Sequence, residues 1–143
     1  MSLTNVWLQT HSDGLVRADQ VIGIESHMTA GLRDTTSHWL LDVVLSTSVG
    51  SGFREAWSVT ALHRTLSQSA FPPEGASHAL AGLLTRLDRI NAAGVIDVAK
   101  ENAGRNGTDA TSDGLTASAG GVRFRFVPFA TPVPDDRTDT EQL

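Results

Sequence analysis

Between Ser77 and Asn91 the apolar side chains Leu80, Leu83, Leu84, Leu87 and Ile90 recur at steps of three and one, the spacing of a single helical face. His78, Arg86, Asp88 and Arg89 fall largely elsewhere, Phe71-Pro72-Pro73 ends whatever precedes the helix, and Gly94 is the expected stop after it. A helix this short is marginal in water on its own. Burying its five apolar side chains contributes on the order of 10 kcal/mol gross, so it must dock on another element.

The rest of the chain supplies strands for that docking. Val6-Trp7-Leu8-Gln9-Thr10 and Leu15-Val16-Arg17-Ala18 flank His11-Ser12-Asp13-Gly14, and Asp-Gly between apolar runs is a strong hairpin signal. Val21-Ile22-Gly23-Ile24 reads as a third short extended piece after a break at Asp19-Gln20, and His27 to Ser37 reads as a loop or irregular edge. Trp39 to Leu45, interrupted only by Asp42, has the length and composition of a buried central strand. Glu55 to Leu66 fits either period: Trp57, Val59 and Ala61 alternate as in a strand, while Ala56, Val59, His63 and Leu66 share a helical face. A hairpin pairing Trp39–Leu45 with Glu55–Leu62 is the preferred reading. Val95 to Val98 reads as a short strand leaving the helix, residues 101–120 as a flexible loop without apolar periodicity, and Val122, Phe124 and Phe126 as the inward stripe of a last strand. Residues 1–130 thus form one domain, and residues 131–143, with two prolines and several carboxylates, form a disordered acidic tail.

Composition narrows the function classes. A net charge of −5 argues against a general nucleic-acid binder, which needs a dense basic surface. Ten of the eleven basic residues are arginine, a bias that points to a GC-rich bacterial genome. The absence of cysteine removes disulfides, zinc–thiolate sites and thiol nucleophiles, and fits a cytoplasmic location. No apolar run approaches the roughly 20 residues that span a bilayer, so no membrane partner is expected, and Met1 to Asn5 lacks the features of a signal peptide.

No convergent catalytic set emerges. The five histidines are scattered singly and make no zinc-binding spacing, so neither a metal nor a cofactor is expected. His38 and Asp42 would share a strand face with Leu40 as a candidate metal or proton-transfer pair, against the plainer reading of a strand-edge histidine and a polar residue on a mostly buried strand. Gly50-Ser51-Gly52 lacks the third glycine and the lysine of a phosphate-binding turn. Arg123 and Arg125, opposite the phenylalanine stripe, read as a solvated face.

The stretch Trp7-Leu8-Gln9-Thr10, Asp13-Gly14 and Leu15 to Ile24 resembles, in layout, small bacterial flagellar proteins of the FlbD type, which also run strand, turn, strand, short strand and, later, an amphipathic helix. The resemblance covers Val6–Ser26 and Ser77–Asn91; it implies a small α+β unit, and no functional residue carries over.

The expected architecture is α+β: a mainly antiparallel sheet of five or six strands with one principal amphipathic helix packed on one face. The expected function is a cytoplasmic protein-interaction or assembly module, not an enzyme, acting as a homodimer. Its candidate interaction strand is Val122, Phe124 and Phe126, which a long linker frees to return to its own sheet or to join a neighbouring subunit. The alternative is a small-molecule-binding protein or minor enzyme with a pocket between helix and sheet, lined by Trp39, Trp57 and His38.

Overall fold

The N-terminal hairpin forms as its turn signal predicts: Val6–Gln9 (β1) pairs antiparallel with Leu15–Arg17 (β2), and the Thr10 N–H donates to the Gly14 carbonyl at 2.8 Å. In the computed structural model, which describes residues 1–12, 14–29, 38–47, 53–54, 57–58, 62–101 and 115–130, a 3-10 turn at Ala18–Gln20 leads into Val21–Met28 (β3). Trp39–Leu45 (β4), Phe53–Arg54 (β5), Trp57–Ser58 (β6), His63–Ser69 (β7), the helix Ala76–Arg89 (α1), Gly94–Lys100 (β8), Thr116–Ala119 (β9) and Val122–Pro128 (β10) follow.

The strands form a five-stranded sheet in the order β2-β1-β8-β10-β9, a three-stranded sheet β3-β4-β7, and the small pair β5-β6. The fold is α+β and mostly antiparallel, but the five-stranded sheet is mixed. β1 runs parallel to β8, with Val6, Trp7 and Leu8 beside Gly94, Val95 and Ile96. The expected mainly antiparallel sheet with one principal helix thus holds in outline, and is corrected in two details: one pair of its strands is parallel, and a separate three-stranded sheet stands beside it. Two parallel neighbours need a long crossover, and here β3 to β7 and α1 fill it, leaving no local sequence signal of the pairing.

Both sheets share one core. Leu8, Ile96, Val122 and Phe124 of the larger sheet and Leu41, Val43, Leu45 and Leu66 of the smaller one join Leu80, Leu83 and Leu87 of α1 in one buried cluster. The sheets are also joined through main chain, where the His11 N–H donates to the Thr65 carbonyl at 2.8 Å. The helix runs as its leucine spacing dictates but ends before Ile90, which is 62% exposed. Its stop is Asn91, at φ 47°, with the Ala92 N–H reaching back to the Leu87 carbonyl at 3.1 Å; Gly94 instead opens β8.

Other departures have equally local causes. The antiparallel partner of β4 beyond β3 is β7, a register later than the expected Glu55–Leu62. Its sequence His63-Arg64-Thr65-Leu66-Ser67-Gln68-Ser69 holds a single large apolar residue, and a bulge at Leu41/Asp42 breaks its alternation. Residues 59–61, and the side chains of β5 and β6, lie outside the described residues. Within the expected 101–120 loop, Thr116–Ala119 is strand β9, joined to β10 by Gly120 and Gly121 at φ 60° and 78°. Two consecutive residues at positive φ make the tight hairpin turn for which glycine is suited. The tail 131–143 lies outside the described residues.

Candidate functional site on the three-stranded sheet

Alternation along a strand gives the three-stranded sheet two unlike faces. Ile24, Leu41 and Val43 belong to the core side, whereas the register rows Glu25–Asp42–Thr65, Gly23–Val44–His63 and His27–Leu40–Gln68 lie on the opposite face. Four ionisable side chains from three strands meet there.

Asp42 is the anchor. It interrupts the apolar run of β4 and is only 3% exposed, so its carboxylate must be satisfied within the protein. Thr65 Oγ1 donates to its Oδ1 at 2.7 Å and His27 Nε2 donates to its Oδ2 at 2.6 Å. Beside this trio, His63 Nε2 lies 2.8 Å from Glu25 Oε1. The hydrogen bond to Asp42 holds the His27 imidazole above its ordinary value; burial opposes this, while the charges of Asp42 and Glu25 and a hydrogen bond to the Met28 main chain reinforce it. The arrangement is a carboxylate–imidazole clamp between adjacent strands, Asp42 of β4 holding His27 of β3.

The clamp sits on an open edge. β3 is the outermost strand of its sheet, and among the described residues no strand pairs with its other side. The Thr29 N–H donates to the His38 carbonyl at 2.7 Å, and the register runs unbroken from Ile24/Val43 to that pair. Antiparallel rungs alternate between inward-bonded and outward-facing residues. The main-chain groups of Glu25 and His27 therefore point to β4, and those of Ile24, Ser26 and Met28 point away from it. Ile22 and Met28 on this strand are 70% and 54% exposed.

A groove of about 440 Å³ runs between this strand and the helix, with Val21 to Ile24 on one side and Ser77, His78, Ala81 and Leu84 on the other. It occupies the position expected for a pocket, but neither Trp39 nor His38 lines it. Trp39 stands in β4 opposite Met28 and Ser69, and the side chain of Trp57 lies outside the described residues. The main chain of His38 is clamped by Thr29, whose hydroxyl accepts from the His38 N–H at 3.0 Å. The histidine that meets Asp42 is His27, at the start of the segment read as a loop or irregular edge, and it lies on the edge strand β3.

Val122, Phe124 and Phe126 point into the core, and β10 pairs with β8 and β9 of the same chain. Arg123 and Arg125 are exposed on the other face, Arg125 opposite Asp97. Among the described residues no group of three or more histidines and carboxylates is placed to hold a metal ion, and no helix is long and apolar enough to cross a membrane.

No known protein family, curated protein or solved structure shows significant similarity to this chain. The layout likeness to FlbD-type proteins lends no residue to the site, whose chemistry must be argued from its own geometry.

Proposed function

We propose that this chain is an assembly module that joins a second copy of itself along the open edge of β3. The observation that carries this reading is the outward main chain of Ile24, Ser26 and Met28 on an eight-residue edge strand. Unpaired strand edges are templates for another strand, and proteins blunt them by shortness, charge, proline or a cover. The edges of the five-stranded sheet follow that rule, for β2 has three residues and β9 four. β3 is longer, lacks proline and carries exposed Ile22 and Met28. The lack of cysteine supports a cytoplasmic setting for such a module.

Native mass spectrometry and light scattering test the reading, with a homodimer as the expected result. In the Ser26→Pro variant the chain keeps its own sheet, because the Ser26 N–H points away from β4 and proline is tolerated on edge strands. The dimer loses its central hydrogen bonds and dissociates. An unsubstituted chain that stays monomeric at high micromolar concentration refutes the proposal.

The groove beside β3 supports a second reading, a small-molecule site, because about 440 Å³ falls within the usual range of ligand pockets. A ligand held there would raise the melting temperature with concentration. A metabolite screen without any shift would exclude the compounds tried.

A further inference from the structure

β3 is self-complementary in one register, and this deepens the assembly reading, on which it rests. We propose that two copies pair antiparallel about Ser26, so that Glu25 faces the partner's His27 and Ile24 faces the partner's Met28, twice by symmetry.

The main chain limits the choices. Outward-facing residues must meet outward-facing residues, so a two-fold axis has to pass through a residue position and not between two. Across the open stretch of β3 that leaves centres at Ile24, Glu25, Ser26, His27 and Met28. A centre at Glu25 sets carboxylate against carboxylate, and a centre at His27 sets two rings against each other, each already carrying a proton toward Asp42. Like charges directly opposite across strands repel. A centre at Met28 leaves the pairing short, because the described strand ends there and Thr29 turns its N–H back to His38. A centre at Ile24 sets Glu25 against Gly23 and drives the pairing into the bulged part of β3 at Val21/Gly23.

Ser26 alone satisfies every element. Rungs 24/28, 26/26 and 28/24 become bonded pairs, giving roughly six new main-chain hydrogen bonds. On the polar face, Glu25 and the partner's His27 bring opposite charges together. Glu25 keeps a second carboxylate oxygen beyond the one on His63, and about half of each side chain is exposed. On the helix side, Ile24 lines the groove together with Ala81 and Leu84, and the partner's Met28 arrives beside it. An unbranched, polarizable side chain suits an irregular apolar groove. The two three-stranded sheets then form one continuous six-stranded sheet.

The chain contains no cysteine, so single thiols report the register directly. In this arrangement the two copies of residue 26 are about 5.5 Å apart between Cα atoms, inside the range a disulfide bridges. Residues 25 and 27 each lie two residues along the strand from their own copies and fall outside it. Under mild oxidation S26C gives the disulfide dimer at least tenfold faster than E25C or H27C. Faster bridging by E25C or H27C, or no bridging by S26C in a chain that still dimerises when reduced, overturns the register and leaves edge pairing standing. A monomeric unsubstituted chain overturns the assembly reading itself.

Discussion

The two sheets divide the work of this small protein. The five-stranded sheet turns an unbroken apolar face to the helix, ends in short edge strands and keeps its phenylalanines dry. The three-stranded sheet gives only part of itself to the core, carries a carboxylate–imidazole network on its other face and ends in its longest strand, whose outer side meets no other strand among the described residues. Both sheets feed the one core, but only the smaller also carries a polar face and a long open edge. If the proposed edge pairing holds, association rests on β3 and the phenylalanine core on β10, so each can be altered separately.

The largest expected effect comes from breaking the first half of that contrast. Phe124 is fully buried, between Val98 and Ala117 on the adjoining strands, and Phe124→Ala should cost about 3–5 kcal/mol in urea unfolding. Association per folded chain should be unchanged. Asp42→Ala comes next, because it strips a buried acceptor from both His27 and Thr65; a loss of about 2–3 kcal/mol is expected by the same measurement. A change well under 1 kcal/mol would mean that the network is ornamental.

The smallest effect sharpens the comparison through pH. The folded-state value of His27 is raised, so its stabilisation is fully present below the ordinary imidazole value of 6.5 and is lost as pH climbs through the raised one. Asp42, Glu25 and, through Glu25, His63 share this face. The urea midpoint should therefore fall over the interval that opens above pH 6.5, and His27→Gln should flatten the fall. A midpoint in the parent that rises over this interval would contradict the clamp.

What was legible in the sequence follows the same division. The leucines of α1, the Asp-Gly hairpin and the phenylalanines of β10 are visible because each buries one face against the core, and burial imposes a period. β9 escaped notice since Thr116-Ala117-Ser118-Ala119 carries no large side chain, although Gly120-Gly121 marks its turn. The polar half of β3 and most of β7 escaped for a different reason. An open face exerts no selection for apolar residues, so from His27 onward the chain reads as a loop or irregular edge, without the strand period that would separate the two. A partial signal existed in Asp42, since a lone carboxylate inside an apolar run demands a partner. His38, four residues away, was the nearest histidine in sequence, but the partner came from the neighbouring strand, which only the register reveals.

The placement of β1 between β2 and β8 sets the order in which the molecule can be finished. During synthesis β1 emerges before the strands it will join, for its parallel neighbour follows only after α1, and β10 later still. Pairings between residues so distant in sequence form slowly. The β3-β4-β7 meander can therefore pair while the leucine face of the helix still awaits Ile96 and Phe124, and the five-stranded sheet closes after it.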